Sequence, residues 1–260
     1  MSVDTEKLKI VFLLEAKPGD RDFRQLTHSG GIENSRILQM LIDTMKLFSI
    51  PLEFKRSDGE VIPVTEFAKR LESQGKWGGP VEAGGLLFQV GHVPAMRQGF
   101  VLIEEKVPGA AHSWDAWVSP FLDEPDFVQA WVSDVEYDYW QNASDPIEYT
   151  AVGRDYSHLP LRSNGLPFPL EQQVIDTSAN PGRWTMRMGY IEAIGSTMWL
   201  GGHFWRAVGK VPGAELDAAV LRVNSVGGNV FKVIALKECF CDQSTADIQD
   251  KLRIALFGVV

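Results

Sequence analysis

The chain has only two cysteines in 260 residues, Cys239 and Cys241 in C-F-C. There is no C-x-x-C pair and no Cys/His cluster, which argues against a zinc site. At their spacing the two cysteines share one face of a strand, as reduced, half-buried thiols. No apolar run approaches the eighteen residues of a membrane span. The run Ile10–Leu14 is too short for a signal-peptide core and carries no cleavage-like sequence, which predicts a cytoplasmic protein with no membrane partner. G-x-S-x-G, a Walker loop, H-E-x-x-H and the Rossmann glycine pattern are all missing. Positive charge is scarce as well. There are 25 bases against 34 acids, a net charge of −9, so the chain lacks the basic surface that direct nucleic-acid binding needs.

What is present describes an ordinary globular protein, 45% apolar and 23% charged. K-L-K-I-V-F-L-L-E (7–15), followed by the turn signal K-P-G-D, predicts a buried first strand. Residues 33–48 predict a helix capped by Asn34 or Ser35, with Ile37, Leu38, Leu41, Ile42, Met45 and Phe48 on one face. A second helix covers 63–73, and a strand pair covers 84–92 and 99–106. Residues 151–182 are rich in proline and read as loops. Residues 189–206 read as a strand, then a turn and short helix. A hairpin spans 219–225 and 230–236 around V-G-G-N, and a final helix, 245–257, is capped by Ser244. The irregular order predicts an α+β fold with a mixed, partly antiparallel sheet, flanking helices and a long loop-rich middle. The expected organisation is one domain, with a weak subdivision near residue 110.

One scarcity is local. Between Lys106 and Arg154 there is no Lys or Arg, while nine acids fall in that window. Outside it the chain is balanced at 25 acids and 25 bases, so the whole net charge belongs to the window. Four of the eight tryptophans and three of the five tyrosines lie there too. Aromatic side chains anchor protein interfaces, and a field of one sign steers an oppositely charged partner. Candidate contact residues are therefore Asp126, Asp134, Glu136, Tyr137, Asp138, Tyr139, Asp145 and Glu148. The competing interpretation is a solvated acidic face over aromatic core residues such as Phe127 and Trp131. Glu124-Pro125-Asp126 predicts a helix start with Phe127, Trp131 and Val135 on one face. The alternation D-V-E-Y-D-Y instead suggests a strand, and a third possibility makes Asp134 the N-cap of a short helix carrying Tyr137 and Trp140. A helix is the favoured choice.

Paired carboxylates beside aromatics also suit glycoside chemistry, with Asp134 and Asp138 or Glu136 as the pair, so a carbohydrate-binding or carbohydrate-active protein using 113–149 is the alternative. A hard-metal site from Asp134, Glu136 and Asp138 lacks the glycine-containing calcium-loop spacing, and no metal or cofactor is expected. The five histidines are scattered, and His158, three residues after Asp155, reads as a loop anchor. Asp176 in I-D-T-S-A-N-P-G-R predicts an Asx-turn, with Arg183 as its ion-pair partner.

Several short motifs recur in order: Y137-x-x-W140-Q141-N142-A143, G153-R154, D176-T-S-A-N180-P-G182-R183, Y190-I-E-A and M198-W199-L-G201-x-x-F204-W205. Together they resemble immunity protein family 52 of bacterial polymorphic toxin systems, clearly over about residues 130–206. The resemblance implies an α+β protein, not an enzyme, encoded beside a toxin of restriction-endonuclease-like fold, a type VI secretion effector. This protein would bind that toxin and block its nuclease activity. The motif residues Trp140, Gln141, Asn142, Arg154, Asp176, Asn180, Gly182, Arg183, Trp199, Gly201 and Trp205 are expected to be structural, with Gly182 and Gly201 as backbone requirements and Trp199 and Trp205 in the core.

Overall fold

A computed structural model describes residues 4–14, 31–210, 216 and 222–258. The K-P-G-D turn, His28 and positions 219–221 of the expected hairpin lie outside them. The first strand, β1 (Glu6–Leu13), alternates as its apolar pattern requires. Leu8, Ile10 and Phe12 enter one core, and Val11 enters another on the opposite face of the sheet. Burial on both faces explains why the strand's second half, Ile10–Leu13, is continuously apolar. It pairs antiparallel with β6 (Gln98–Glu105) on one side and β7 (Phe127–Asp134) on the other.

The sheet extends outward from this centre. Beyond β6 lie β5 (Leu86–Val93), β4 (Val81–Ala83), β2 (Glu53–Arg56) and the edge strand β3 (Val61–Pro63). Beyond β7 lie β12 (Thr197–Leu200), β14 (Val230–Ile234) and the edge strand β13 (Arg222–Gly227). The fold is α+β, and the antiparallel pairing extends through all ten strands. Strands from both sides of residue 110 share this one sheet.

Helices cover both faces. On one lie α1 (Asn34–Leu47), α2 (Val64–Gln74) and α3 (Trp114–Leu122), which contribute Ile37, Leu41, Phe67, Leu71, Trp117 and Phe121 to the larger core. On the other lie α6 (Gly202–Val208) and α7 (Ala246–Phe257), which contribute Phe204, Trp205, Leu252 and Leu256 to the second. Between β7 and β12 the chain leaves the sheet and builds a lobe. It contains α4 (Val135–Asn142), α5 (Pro146–Ala151), a ribbon of β8 (Leu161–Ser163) with β9 (Gln173–Ile175), and a ribbon of β10 (Thr185–Arg187) with β11 (Tyr190–Glu192).

Four local expectations are corrected. Glu124-Pro125-Asp126 opens no helix, because Phe127–Asp134 is a strand. The four-residue spacing of Phe127 and Trp131 imitates a helical stripe, yet Phe127 lies in the first core and Trp131 in the second. A bulge causes this: Phe12 pairs with Phe127 while Val11 pairs with Gln129, so the extra residue Val128 inverts the facing of the strand. Helix α1 takes Glu33 as its N-cap residue, with no side-chain cap from Asn34 or Ser35. Ser244 does not cap the last helix. It sits in a 3₁₀ turn (Gln243–Thr245) whose cap is Asp242, which accepts from the Ser244 amide at 2.8 Å. Cys239 and Cys241 share no strand face, since β14 ends at Ile234; Cys239 is partly buried and Cys241 is exposed.

Candidate functional site

The site is built where β7 ends. Asp134 is the last residue of the strand and the N-cap of α4, and its Oδ1 accepts from the Tyr137 amide at 2.6 Å. The segment D-V-E-Y-D-Y is therefore a cap and a helix, not an alternating strand. Asp134 is only 4% exposed, and burial raises its carboxyl above the usual aspartate range, with Asp4 and Glu136 adding to the rise.

The helix then locks onto the loop before β10. Gln141 Oε1 accepts from the Gly182 amide at 2.9 Å, and its carbonyl accepts from Asn180 Nδ2 at 2.8 Å. Asn142 Oδ1 accepts from the Trp184 amide at 2.8 Å, while its Nδ2 donates to the Asp138 carbonyl. The W-Q-N and N-P-G-R motifs are thus two halves of one hydrogen-bonded joint. Gly182 is required because a Cβ there would lie 2.7 Å from Gln141 Cγ and 2.9 Å from Tyr137 Cε1. Gly201 is required for a different reason, since its Cβ would meet the backbone oxygen of Phe127 at 2.9 Å, which cannot swing aside as a side chain can.

Trp140 belongs to a small core with Ala143, Tyr149 and Ile175, and the Arg154 guanidinium lies over its ring at 4.4 Å. Asp176 forms its Asx-turn with the Ser178 amide at 3.0 Å, but its ion-pair partner is Arg162, at 3.5 Å. Arg183, expected in that role, donates instead to the Asn180 carbonyl of its own turn. His158 approaches Asp155 at 3.8 Å on the exposed surface. Trp199 and Trp205 lie in the sheet cores, the latter donating to the Leu200 carbonyl at 3.1 Å.

The nine-acid window does not form a surface of one sign. Lys7 pairs with Asp138 at 2.6 Å, Lys232 with Asp115 at 2.6 Å and Arg36 with Glu124 at 3.2 Å. Other acids of the window hold local structure. Asp126 accepts from the Gly31 amide, and Asp145 and Glu148 form the capping box of α5. Glu148 also accepts from the exposed Tyr139 hydroxyl at 2.9 Å. Among the described residues, the side chain of Glu136 has neither a hydrogen bond nor an ion pair, and it is exposed.

Glu136 stands at a cleft of about 400 Å³ lined by Asp4, Asp134, Tyr137, Trp140, Gln141, Arg154, Cys241, Asp242 and Gln243. Four carboxylates and two aromatic rings thus surround one cation, Arg154, which already rests on Trp140. Partial desolvation, with the neighbouring carboxylates of Asp242, Asp4 and Asp134, pushes the Cys241 thiol up from its ordinary value, the reverse of what activates a thiolate. Among the described residues no group of three or more His, Cys, Asp or Glu is arranged to hold a metal ion. An adjoining cleft of about 480 Å³ shares Asp4 and adds Glu6, Glu105 and Trp114. The acidity window could not reveal Asp4, Cys241, Asp242 or Gln243, which arrive from the two chain-terminal segments.

No protein-family model matches the chain, and no curated protein sequence matches it either. Among the described residues no helix is long and apolar enough to cross a membrane.

Proposed function

We propose that this protein is a cytoplasmic immunity protein that binds a nuclease toxin of restriction-endonuclease-like fold, delivered by a type VI secretion system, and neutralises it by occlusion. The observation that carries this reading is the cleft at the start of α4, where Asp4, Asp134, Glu136 and Asp242 surround Tyr137 and Trp140. Its chemistry suits a lysine or arginine side chain, with carboxylates to pair the charge and ring faces to hold the stem. A DNA-cleaving enzyme must present such basic groups to phosphate. Covering them denies DNA its contacts and needs no bond-making by this chain. The motif resemblance, whose Trp140, Gln141 and Arg154 line the same cleft, supports the same reading.

The test is co-expression with the toxin encoded beside this gene, followed by co-purification and a cell-survival assay. The expected outcome is a stable complex and protected cells. Glu136→Lys, which disturbs no hydrogen bond among the described residues, should weaken binding about tenfold at low salt and less at high salt. Failure of the two proteins to associate, with cells killed despite this protein, would overturn the reading.

A further inference from the structure

The ribbon β8–β9 carries a nine-residue tip, Asn164–Gln172, in which Leu166, Phe168 and Leu170 are 51%, 90% and 62% exposed. An exposed phenylalanine between two exposed leucines is costly in water unless something covers it. The tip is also internally fastened. Asn164 Oδ1 accepts from the Leu166 amide at 3.1 Å and the Gln172 amide at 3.3 Å, and its Nδ2 donates to the Leu170 carbonyl at 3.0 Å. Ser163 Oγ donates to Glu171 at 2.9 Å and accepts from the Gly165 amide, and the Leu170 amide donates to the Pro167 carbonyl. One side chain, Asn164, therefore organises the loop from within, and the three apolar residues project from a scaffold already ordered. A preorganised aromatic anchor loses little entropy on binding, which is the property of an interface hot spot.

The tip is not an isolated oddity. Among the described residues, seven of the fourteen large exposed apolar side chains lie between Tyr139 and Leu170. The base of the ribbon is tied to the lobe that walls the acidic cleft, through the Ile175 amide to the Ser144 carbonyl at 2.9 Å. Ile175 packs in the same small core as Trp140, which lines that cleft.

We infer that Leu166, Phe168 and Leu170 form a rigid apolar plug that enters an apolar socket on the basic protein bound at the acidic cleft. The inference rests on the reading above and adds to it a second, non-electrostatic contact. Charge selects the occupant. The lobe between β7 and β12, residues 135–196, holds eight acids and four bases, Arg154, Arg162, Arg183 and Arg187. Arg154 is stacked on Trp140, Arg162 is paired with Asp176 and Arg187 with Glu192, and Arg183 donates to the Asn180 carbonyl of its own turn. Such a lobe is repelled by an anionic bilayer and by a second copy of itself, and it suits a cationic protein.

The experiment is calorimetric titration of the full chain into a catalytically inactivated form of the adjacently encoded toxin, at low and high salt. Phe168→Ala should weaken binding by roughly 30-fold at both salt concentrations, while Glu136→Lys loses its effect as salt rises. Phe168→Trp should bind within a few-fold of wild type, and all three variants should keep the wild-type melting temperature. If the wild-type chain binds and both Phe168→Ala and the triple alanine variant at 166, 168 and 170 bind equally well, the plug is overturned and the immunity reading stands. If the wild-type chain does not bind, both fall. Concentration-dependent dimerisation, or sedimentation with anionic phospholipid vesicles, that Phe168→Ala abolishes would assign the tip to another occupant and overturn the inference.

Discussion

The sheet body and the lobe between β7 and β12 are held together by different forces. In the body, Trp117, Trp199, Phe12, Phe54, Phe88, Phe121 and Phe204 are fully enclosed, and two cores sandwich ten paired strands. The lobe's own core is small, Ala143, Tyr149 and Ile175 with Trp140, Tyr156 and Leu159 packed against them, and its Ile191, Ala193 and Ile194 join the second core of the sheet. Caps, Asx-turns and the Gln141–Asn142 joint supply the rest of its order. Beside that apolar seam, polar ties join its helix and turn to the body: Lys7 to Asp138, Gln249 to the Tyr137 hydroxyl at 2.9 Å, and Arg253 to the carbonyls of Pro181 and Arg183. A region with little apolar burial opens at lower free energy than the core it stands on. The same region displays the exposed apolar side chains and the acidic cleft. The contrast therefore places stability in the sheet and the proposed recognition surfaces in the lobe.

The strongest way to break that contrast is to empty each core in turn. Trp199→Ala should cost about 3–5 kcal/mol and lower the melting transition of the whole chain, because it opens the centre of the sheet. Trp140→Ala should cost about 2 kcal/mol, since its ring is only partly buried, and should speed amide exchange chiefly over 135–184. Equal exchange across sheet and lobe in Trp140→Ala would show that the two regions unfold as one.

A sharper probe is the buried cation that joins them. Arg253 is 4% exposed on α7, and no carboxylate forms an ion pair with it among the described residues. Burial first, and Arg183 second, bring its pKa down to about 10, so it remains charged at neutral pH. Its stabilisation comes from donating to two carbonyls of the N-P-G-R turn, at 2.6 Å to Arg183 and 3.2 Å to Pro181. Arg253→Met removes the costly buried charge but strands both carbonyls. We expect a loss of about 1–3 kcal/mol, concentrated in amide exchange at 180–184. A variant as stable as wild type, with those amides still protected, would mean that the turn is fixed by the Gln141–Asn142 joint alone.

How much of this was legible follows from the range over which each signal acts. The alternation of β1 and the stripe of Ile37, Leu38, Leu41 and Met45 are local periods, and the structure follows them. The strand Phe127–Asp134 was hidden because its own residue Val128 bulges out of the pairing with β1, and nothing within 124–135 records where that pairing shifts register. Charge failed for a similar reason. A window without bases is visible in one dimension, whereas Lys7, Arg36 and Lys232 close on its acids only in three. Likewise the order of the motifs was readable, but not that W-Q-N hydrogen-bonds N-P-G-R or that Asp242 faces Asp134 across a cleft. Asp134 as the N-cap of a short helix was one of three local options, and the other two failed because β7 runs to that residue and stops.

The smallest expected effect lies at that junction and has a sign that pH can test. Asp134 caps α4, which favours any acceptor there, while burial and the neighbouring acids Asp4 and Glu136 disfavour its charge. Its folded pKa is raised, so between the ordinary aspartate value and the raised one the folded state holds more protons than the unfolded chain. This carboxyl's contribution to stability therefore falls as pH rises through that interval, and the cost persists at neutral pH. Asp134→Asn keeps an oxygen for the Tyr137 amide and removes the charge, so it should be at least as stable as wild type at neutral pH, with a flatter acid-side profile. Asp134→Ala removes the acceptor and should cost about 1 kcal/mol. If urea titrations from pH 3 to 7 instead show Asp134→Asn as destabilising as Asp134→Ala, the negative charge itself stabilises the start of α4. The lobe would then be anchored to the sheet by electrostatics at its first residue rather than by a hydrogen-bonded cap.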